Sequence, residues 1–179
     1  MYHSSPIQHM PSKITFFLCF LPLGFILGCG PKLPDGMPKL YPVTITVTQD
    51  GVPLADANLI ISGGAGIWIS TGTTDAQGMA KLFTQGKYVG IPAGTFKVAV
   101  TKVVAEGEKP PPSPFDAESA RVFQEYQRSG KKYRQFNLTP MPYRREDTTP
   151  LTITIAKGVK NVTVDVEGTV KDEVRQYGR

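Results

Sequence analysis

The chain has 179 residues, a formal net charge of +5 and a hydrophobic fraction of 40%. Both histidines (His3, His9) and both cysteines (Cys19, Cys29) fall within the first 29 residues. Everything after Cys29 therefore cannot hold a Ser-His-Asp triad, a Cys-His pair, a histidine-containing metal site or an internal disulfide.

An uncharged apolar run covers residues 14–27, directly after Lys13. It is too short to span a bilayer but suits the apolar region of an export signal. The run ends in Ile26-Leu27-Gly28-Cys29, which resembles the lipobox of bacterial lipoproteins. The resemblance implies that the chain is cleaved between Gly28 and Cys29. It also implies that Cys29 is then acylated with fatty acids that include palmitate.

From this pattern we predict a lipoprotein signal peptide over residues 1–28, with either Met1 or Met10 as initiator. The mature chain is then expected on the extracytoplasmic side of a bacterial membrane, held by lipid on Cys29. Gly30 follows the cysteine where an aspartate would signal retention, which favours the outer membrane. A flexible tether is predicted over residues 29–40, because this segment is rich in proline and glycine and lacks apolar periodicity.

The next segment changes to a period of two. Val43, Ile45 and Val47 alternate with threonines, which predicts a half-buried strand. Asp50-Gly51 is a hairpin-type turn signal. Further strands are predicted over residues 57–61, 67–69, 79–84, 95–104, 151–155 and 162–166. A phosphate-binding role for the glycines at 63–66 is disfavoured, because no Lys-Ser/Thr pair or helix pattern follows them.

Residues 105–145 interrupt the strands with a proline-rich and helical insertion. The prolines between Lys109 and Pro114 cannot join a sheet. A short helix docked on the domain is predicted after them, with Asp116 as N-cap and Gly130 at its end. The apolar residues at helical spacing are Ala117, Ala120, Phe123 and Tyr126. Residues 169–179 are predicted to form a polar, frayed tail.

About seven short strands, regular turn signals and one inserted helix predict an all-β, antiparallel β-sandwich over residues 41–168. Consecutive strands lie too close in sequence for βαβ crossovers, so parallel pairing is not expected.

Four segments, at residues 51–57, 73–78, 92–98 and 150–153, resemble the carboxypeptidase regulatory-like domain of small bacterial lipoproteins, which has a transthyretin-like (prealbumin) fold. The resemblance covers roughly residues 41–166. The lipobox, the tether and a domain without catalytic groups predict a non-enzymatic binding or scaffolding module with no cofactor. The catalytic relatives of this fold, the hydroxyisourate hydrolases and intradiol dioxygenases, depend on histidines that are absent after Cys29.

The alternative function is a carbohydrate-binding domain. Trp68, the only tryptophan, lies beside glycines and could stack on a sugar together with Tyr88 or Tyr133. The competing interpretation, which strand alternation favours, is that Trp68 points inward and fills the core.

Basic and acidic side chains in the second half of the chain suggest two other functions. Basic residues mixed with aromatics, as around Lys131, Lys132, Arg134, Arg144 and Arg145, can bind nucleic acid. An exported chain is not expected to meet nucleic acid, so a solvated face is favoured, and an envelope protein or a glycan is the expected partner. Asp50, Asp56 and Asp75 do not fit the regular loop spacing of a calcium site. The carboxylates that could serve a minimal hydrolase show no spacing that implies shared chemistry. They are Asp116, Glu118, Glu125, Glu146 and Asp147. The chain is therefore predicted not to be an enzyme.

Overall fold

The computed structural model describes residues 32–63 and 68–177. The predictions for residues 1–31, including cleavage after Gly28 and lipid on Cys29, lie outside this part of the chain, as do residues 64–67. Across the described segments, no helix has the length and apolar character needed to cross a membrane.

The described residues form fifteen strands, one α-helix and one 3₁₀ helix. The strands before the insertion are β1 (Leu40–Tyr41), β2 (Thr44–Gln49), β3 (Val52–Pro53), β4 (Asn58–Ser62), β5 (Ser70–Thr73), β6 (Met79–Lys81), β7 (Phe83–Thr84), β8 (Tyr88–Val89), β9 (Ile91–Pro92) and β10 (Gly94–Thr101). The later elements are β11 (Val103–Gly107), α1 (Ala117–Arg128), β12 (Tyr133–Asn137), the 3₁₀ helix (Met141–Arg144), β13 (Thr152–Ile155), β14 (Asn161–Val166) and β15 (Asp172–Tyr177).

Two sheets pack face to face around one apolar core. The larger sheet has the order β13-β10-β4-β5-β7-β8, with every neighbouring pair antiparallel. The facing sheet places β2 beside β14, with β3 and β6 also pairing β2. The core draws Ile45 and Val47 from one sheet and Leu59, Ile61 and Val98 from the other. The predicted all-β sandwich is thereby confirmed.

Among the described strands of the sandwich, one pair is parallel, contrary to prediction. β14 runs parallel to β2, with Ile45 opposite Val162 and Val47 opposite Val164. Short distances between consecutive strands exclude only parallel pairing of those neighbours. They do not restrict a pair formed by strands far apart in the sequence, such as β2 and β14. The turn after β13 therefore crosses from one sheet to the other instead of closing a hairpin.

A third, three-stranded sheet has the order β11-β12-β15. The sequence predicted a loop where β12 lies and a frayed tail where β15 lies, and both predictions are wrong. Neither strand shows apolar alternation, and the buried aromatic side chains of β12, Tyr133 and Phe136, lie outside the main core cluster. The chain enters this sheet at Lys102, whose amide donates to Thr139 Oγ1 at 3.0 Å.

The predicted turns follow the expected backbone chemistry. Asp50 and Gly51 both have positive φ, 51° and 78°, as a two-residue hairpin turn requires. Asp75 Oδ1 accepts hydrogen bonds from the backbone N–H groups of Gln77 and Met79, each at 2.9 Å. Gly78 has φ 74°, and a Cβ there would lie 2.5 Å from the Val47 carbonyl oxygen.

The inserted helix begins and ends as predicted. Asp116 caps α1 by accepting from the Ser119 amide at 2.8 Å, and the Ser119 hydroxyl accepts from the Asp116 amide at 3.1 Å. Gly130 follows the C-terminus with φ 68°. Tyr126 is the one buried residue of the helix, and its hydroxyl donates to the Glu108 carbonyl at 2.7 Å. The helix therefore docks through a narrow contact.

Candidate binding site

The aromatic residues expected to stack on a sugar do not form one platform. Trp68 precedes β5, is half-buried and does not belong to the core cluster, so the prediction that it fills the core is not confirmed. Tyr88 lies in the larger sheet and Tyr133 in the third sheet. Their side chains are only 9% and 8% exposed. Trp68 is therefore the one ring of the three with an accessible surface.

The basic cluster is largely neutralised by neighbouring carboxylates. Lys131 pairs with Glu108 at 2.6 Å and Arg145 pairs with Asp147 at 2.7 Å, while Arg144 pairs with Asp172. Arg134 lies 5.4 Å from the centre of the Phe136 ring. These contacts describe a salt-bridged surface and not a continuous cationic face.

Two carboxylates have shifted acidities, and each has a local cause. A hydrogen bond from the Ser119 hydroxyl lowers the pKa of Asp116, and a hydrogen bond from Lys171 lowers the pKa of Glu106. Both groups are solvent-exposed and serve a helix cap and a surface ion pair. Within residues 32–63 and 68–177, no three acidic, histidine or cysteine side chains are grouped to hold a metal ion.

A cleft of about 690 Å³ lies on the outer face of the larger sheet, where β4, β5 and β7 meet β6 of the facing sheet. We call it the outer-face cleft. The side chains that line it and carry chemistry are Asn58, Ile60, Thr71, Thr73, Asp75, Met79, Lys81 and Phe83.

Strand alternation and register align three of these side chains in a row. Leu59 and Ile61 point into the core, so Ile60 between them points outward. Ile60 lies opposite Thr71 on β5, and Thr71 lies opposite Phe83 on β7. The three outward side chains therefore cross the sheet at right angles to its strands.

The apolar part of the cleft is unusually accessible. Ile60, Met79 and Phe83 are 43%, 42% and 38% exposed. Single exposed apolar side chains are common on protein surfaces, but several in one concave site indicate a surface that a ligand or partner covers. The sequence pattern did not reveal Ile60, because Leu59-Ile60-Ile61 is a continuous apolar run in which the outward residue cannot be distinguished.

Polar atoms with spare hydrogen-bonding capacity surround the apolar row. Asn58 Oδ1 accepts from Thr73 Oγ1 at 3.0 Å, which leaves both N–H groups of the Asn58 amide available. Asp75 uses Oδ1 for the turn, which leaves Oδ2 available. Among the described residues, Lys81 Nζ has no ion-pair or hydrogen-bond partner. The cleft thus offers donors and an acceptor beside an exposed ring.

A second cleft, of about 490 Å³, adjoins the first. Ile60 lines both, and the far side of the second cleft is formed by Ala99 and residues 144–147. Ala99 lies opposite Ile60 in the neighbouring strand. The accessible surface therefore continues across β4 from one cleft to the other.

No family model, curated protein or solved structure matches this chain. The resemblance to the carboxypeptidase regulatory-like domain therefore stays a prediction.

Proposed function

We propose that the chain is a lipid-anchored, extracytoplasmic binding or scaffolding module of the bacterial cell envelope, and not an enzyme. The outer-face cleft is the observation that carries the proposal. Its exposed apolar side chains and unused polar atoms are the kinds of group that ligand sites combine. The fold supplies a rigid sheet on which those groups are fixed.

The anchoring part of the proposal rests on the sequence Ile26-Leu27-Gly28-Cys29. Residues 32–36, 38 and 39 are exposed, and within residues 32–63 the first strand is β1 at Leu40. Fully extended, residues 29–39 would span about 36–40 Å. A segment of this kind would let the sandwich stand away from the bilayer. Two or more acyl chains, at ~0.8 kcal/mol per buried methylene, would hold it there stably.

The resemblance to the carboxypeptidase regulatory-like domain rests on turn motifs, and the catalytic relatives of that fold need histidines that are absent after Cys29. Its turn motifs, such as Asp75 to Gly78, specify fold through backbone hydrogen bonds and a positive φ. Such motifs carry little information about chemistry. We therefore assign function to the accessible surface and not to the turns.

A carbohydrate-binding domain built on Trp68 is the second candidate. Its support is that the indole is half-buried and lies outside the core. The covered rings of Tyr88 and Tyr133 weigh against the wider platform.

The anchor is tested by fatty-acid labelling in cells. The full chain and its Cys29→Ser variant would be expressed in a bacterial host fed an alkyne-tagged palmitate analogue. We expect label and membrane retention with the native chain and neither with Cys29→Ser. Cys19→Ser is the matched control and should keep both, because Cys19 lies within the predicted signal. An unlabelled native chain in the soluble fraction would contradict the proposal.

A further inference from the structure

We propose that the outer-face cleft binds an oligosaccharide, with Phe83 as its stacking surface. The inference rests on the proposed function, because it names the ligand class of the binding module. It moves the predicted sugar site from Trp68 to a cleft on the sheet.

The ring of Phe83 supplies the apolar half of the site. It is 38% exposed and lies in line with Thr71 and Ile60 across the sheet. The C–H face of a pyranose ring packs well against an aromatic face, which combines large contact area with a fixed geometry. Ile60 and Met79 also line the cleft and add to its apolar surface.

The polar atoms that line the outer-face cleft supply its hydrogen-bonding half. A sugar presents neighbouring hydroxyl groups, each of which can donate and accept. Lys81 Nζ and the Asn58 amide are available donors, and Asp75 Oδ2 is an available acceptor. A purely apolar partner would bury these groups without hydrogen bonds, which is costly. The mixed lining therefore favours a polyhydroxylated ligand over an apolar helix or an acyl chain.

The shape of the site fits a short linear glycan. Its volume of about 690 Å³ lies within the range of about 300–1,000 Å³ usual for ligand sites. The surface continues past Ile60 into the second cleft, where Arg145 and Asp147 provide further polar groups. A chain of several sugars could therefore run from Phe83 across β5 and β4 towards these residues.

The test is calorimetric titration of the full chain with four defined probes: chitotetraose, cellotetraose, maltotetraose and laminaritetraose. The protein would be extracted in a detergent without a sugar headgroup. We expect at least one probe to bind, and Phe83→Ala to weaken that binding by about tenfold or more, as loss of a stacking ring predicts. Phe83→Leu should also weaken it, because it keeps apolar volume but removes the ring.

Two control variants separate this site from others. Phe115→Ala removes a phenylalanine that is 85% exposed and outside the cleft, and it should bind as the native chain does. Trp68→Ala should also bind normally, and circular dichroism would confirm that each variant is folded.

The proposal is overturned if no probe binds the native chain, or if folded Phe83→Ala binds as tightly as the native chain. A chain that is lipidated but binds no probe would overturn the sugar site alone. A chain that binds a probe but carries no lipid would overturn the anchor alone.

Discussion

Gly72 of β5 lies directly against the backbone of Lys81 in β6. A Cβ built on Gly72 would be 2.7 Å from the Lys81 carbonyl oxygen and 2.7 Å from Leu82 Cδ2. The absence of a side chain therefore lets a strand of the larger sheet approach a strand of the facing sheet. Side chains from both strands, Thr71 and Thr73 of β5 and Met79 and Lys81 of β6, line the outer-face cleft.

Gly72→Ala is expected to destabilise the fold by about 1–3 kcal/mol, the usual cost of forcing extra volume into a packed site. Urea unfolding would measure the change. Gly130→Asn is the control, because Gly130 has open space around its Cβ position and a φ of 68° that asparagine tolerates. Equal stability of Gly72→Ala and the native chain would contradict the packing argument.

The buried hydroxyl of Thr74, which follows β5, binds the backbone of the segment that precedes β4. Thr74 Oγ1 donates to the Leu54 carbonyl at 2.6 Å and accepts from the Ala57 amide at 2.8 Å. Thr74→Val keeps the shape but leaves these backbone groups unpaired, so we expect a loss of about 1–3 kcal/mol in the free energy of unfolding. Thr163→Val, at an exposed strand position, should change stability little. Similar values for the two variants would refute this role.

Sequence patterns predicted the strands that bury one face. β2, β10 and β13 alternate between core and solvent, as Ile45, Phe96 and Ile153 show, and a period of two is the direct signature of that environment. β12 and β15 could not be predicted because neither sequence alternates between apolar and polar residues, even though Tyr133 and Phe136 of β12 are buried.

The candidate site was less predictable than the fold. Phe83 and Ile60 are 23 positions apart (83 − 60), and only the register of β4, β5 and β7 brings them into one row. A lone tryptophan predicts either a stacking surface or a core position, and Trp68 was therefore the residue on which the sequence-based sugar site depended. Its half-buried position before β5 could not be inferred from alternation.

Trp68→Ala is expected to leave the fold intact, because Trp68 lies outside the core cluster. Phe96, by contrast, is 4% exposed within that cluster. Phe96→Ala should therefore lower the free energy of unfolding by about 3–5 kcal/mol. Parallel urea titrations would compare the two variants. If Trp68→Ala lowered the free energy of unfolding as much as Phe96→Ala does, Trp68 would have to be a core residue.

The cap of α1 should make the helix sensitive to acid. The hydrogen bond from Ser119 lowers the pKa of Asp116 in the folded chain. The stabilisation that ionised Asp116 gives the helix is therefore fully present above the pKa of Asp116 in the unfolded chain. It is lost as the pH falls through the lowered pKa of Asp116 in the folded chain. Hydrogen exchange of the α1 amides should accelerate relative to other amides across this acidic range. Asp116→Asn should remove this acid-dependent step, and its persistence in that variant would exclude Asp116 as the source.

The most direct test of the envelope-lipoprotein proposal is mass spectrometry of tryptic peptides from the membrane-extracted chain. We expect an N-terminal peptide that begins at Cys29, ends at Lys32 and carries the added mass of acyl chains. An unmodified peptide covering residues 14–32, with Gly28 and Cys29 still joined, would contradict both the cleavage and the anchor.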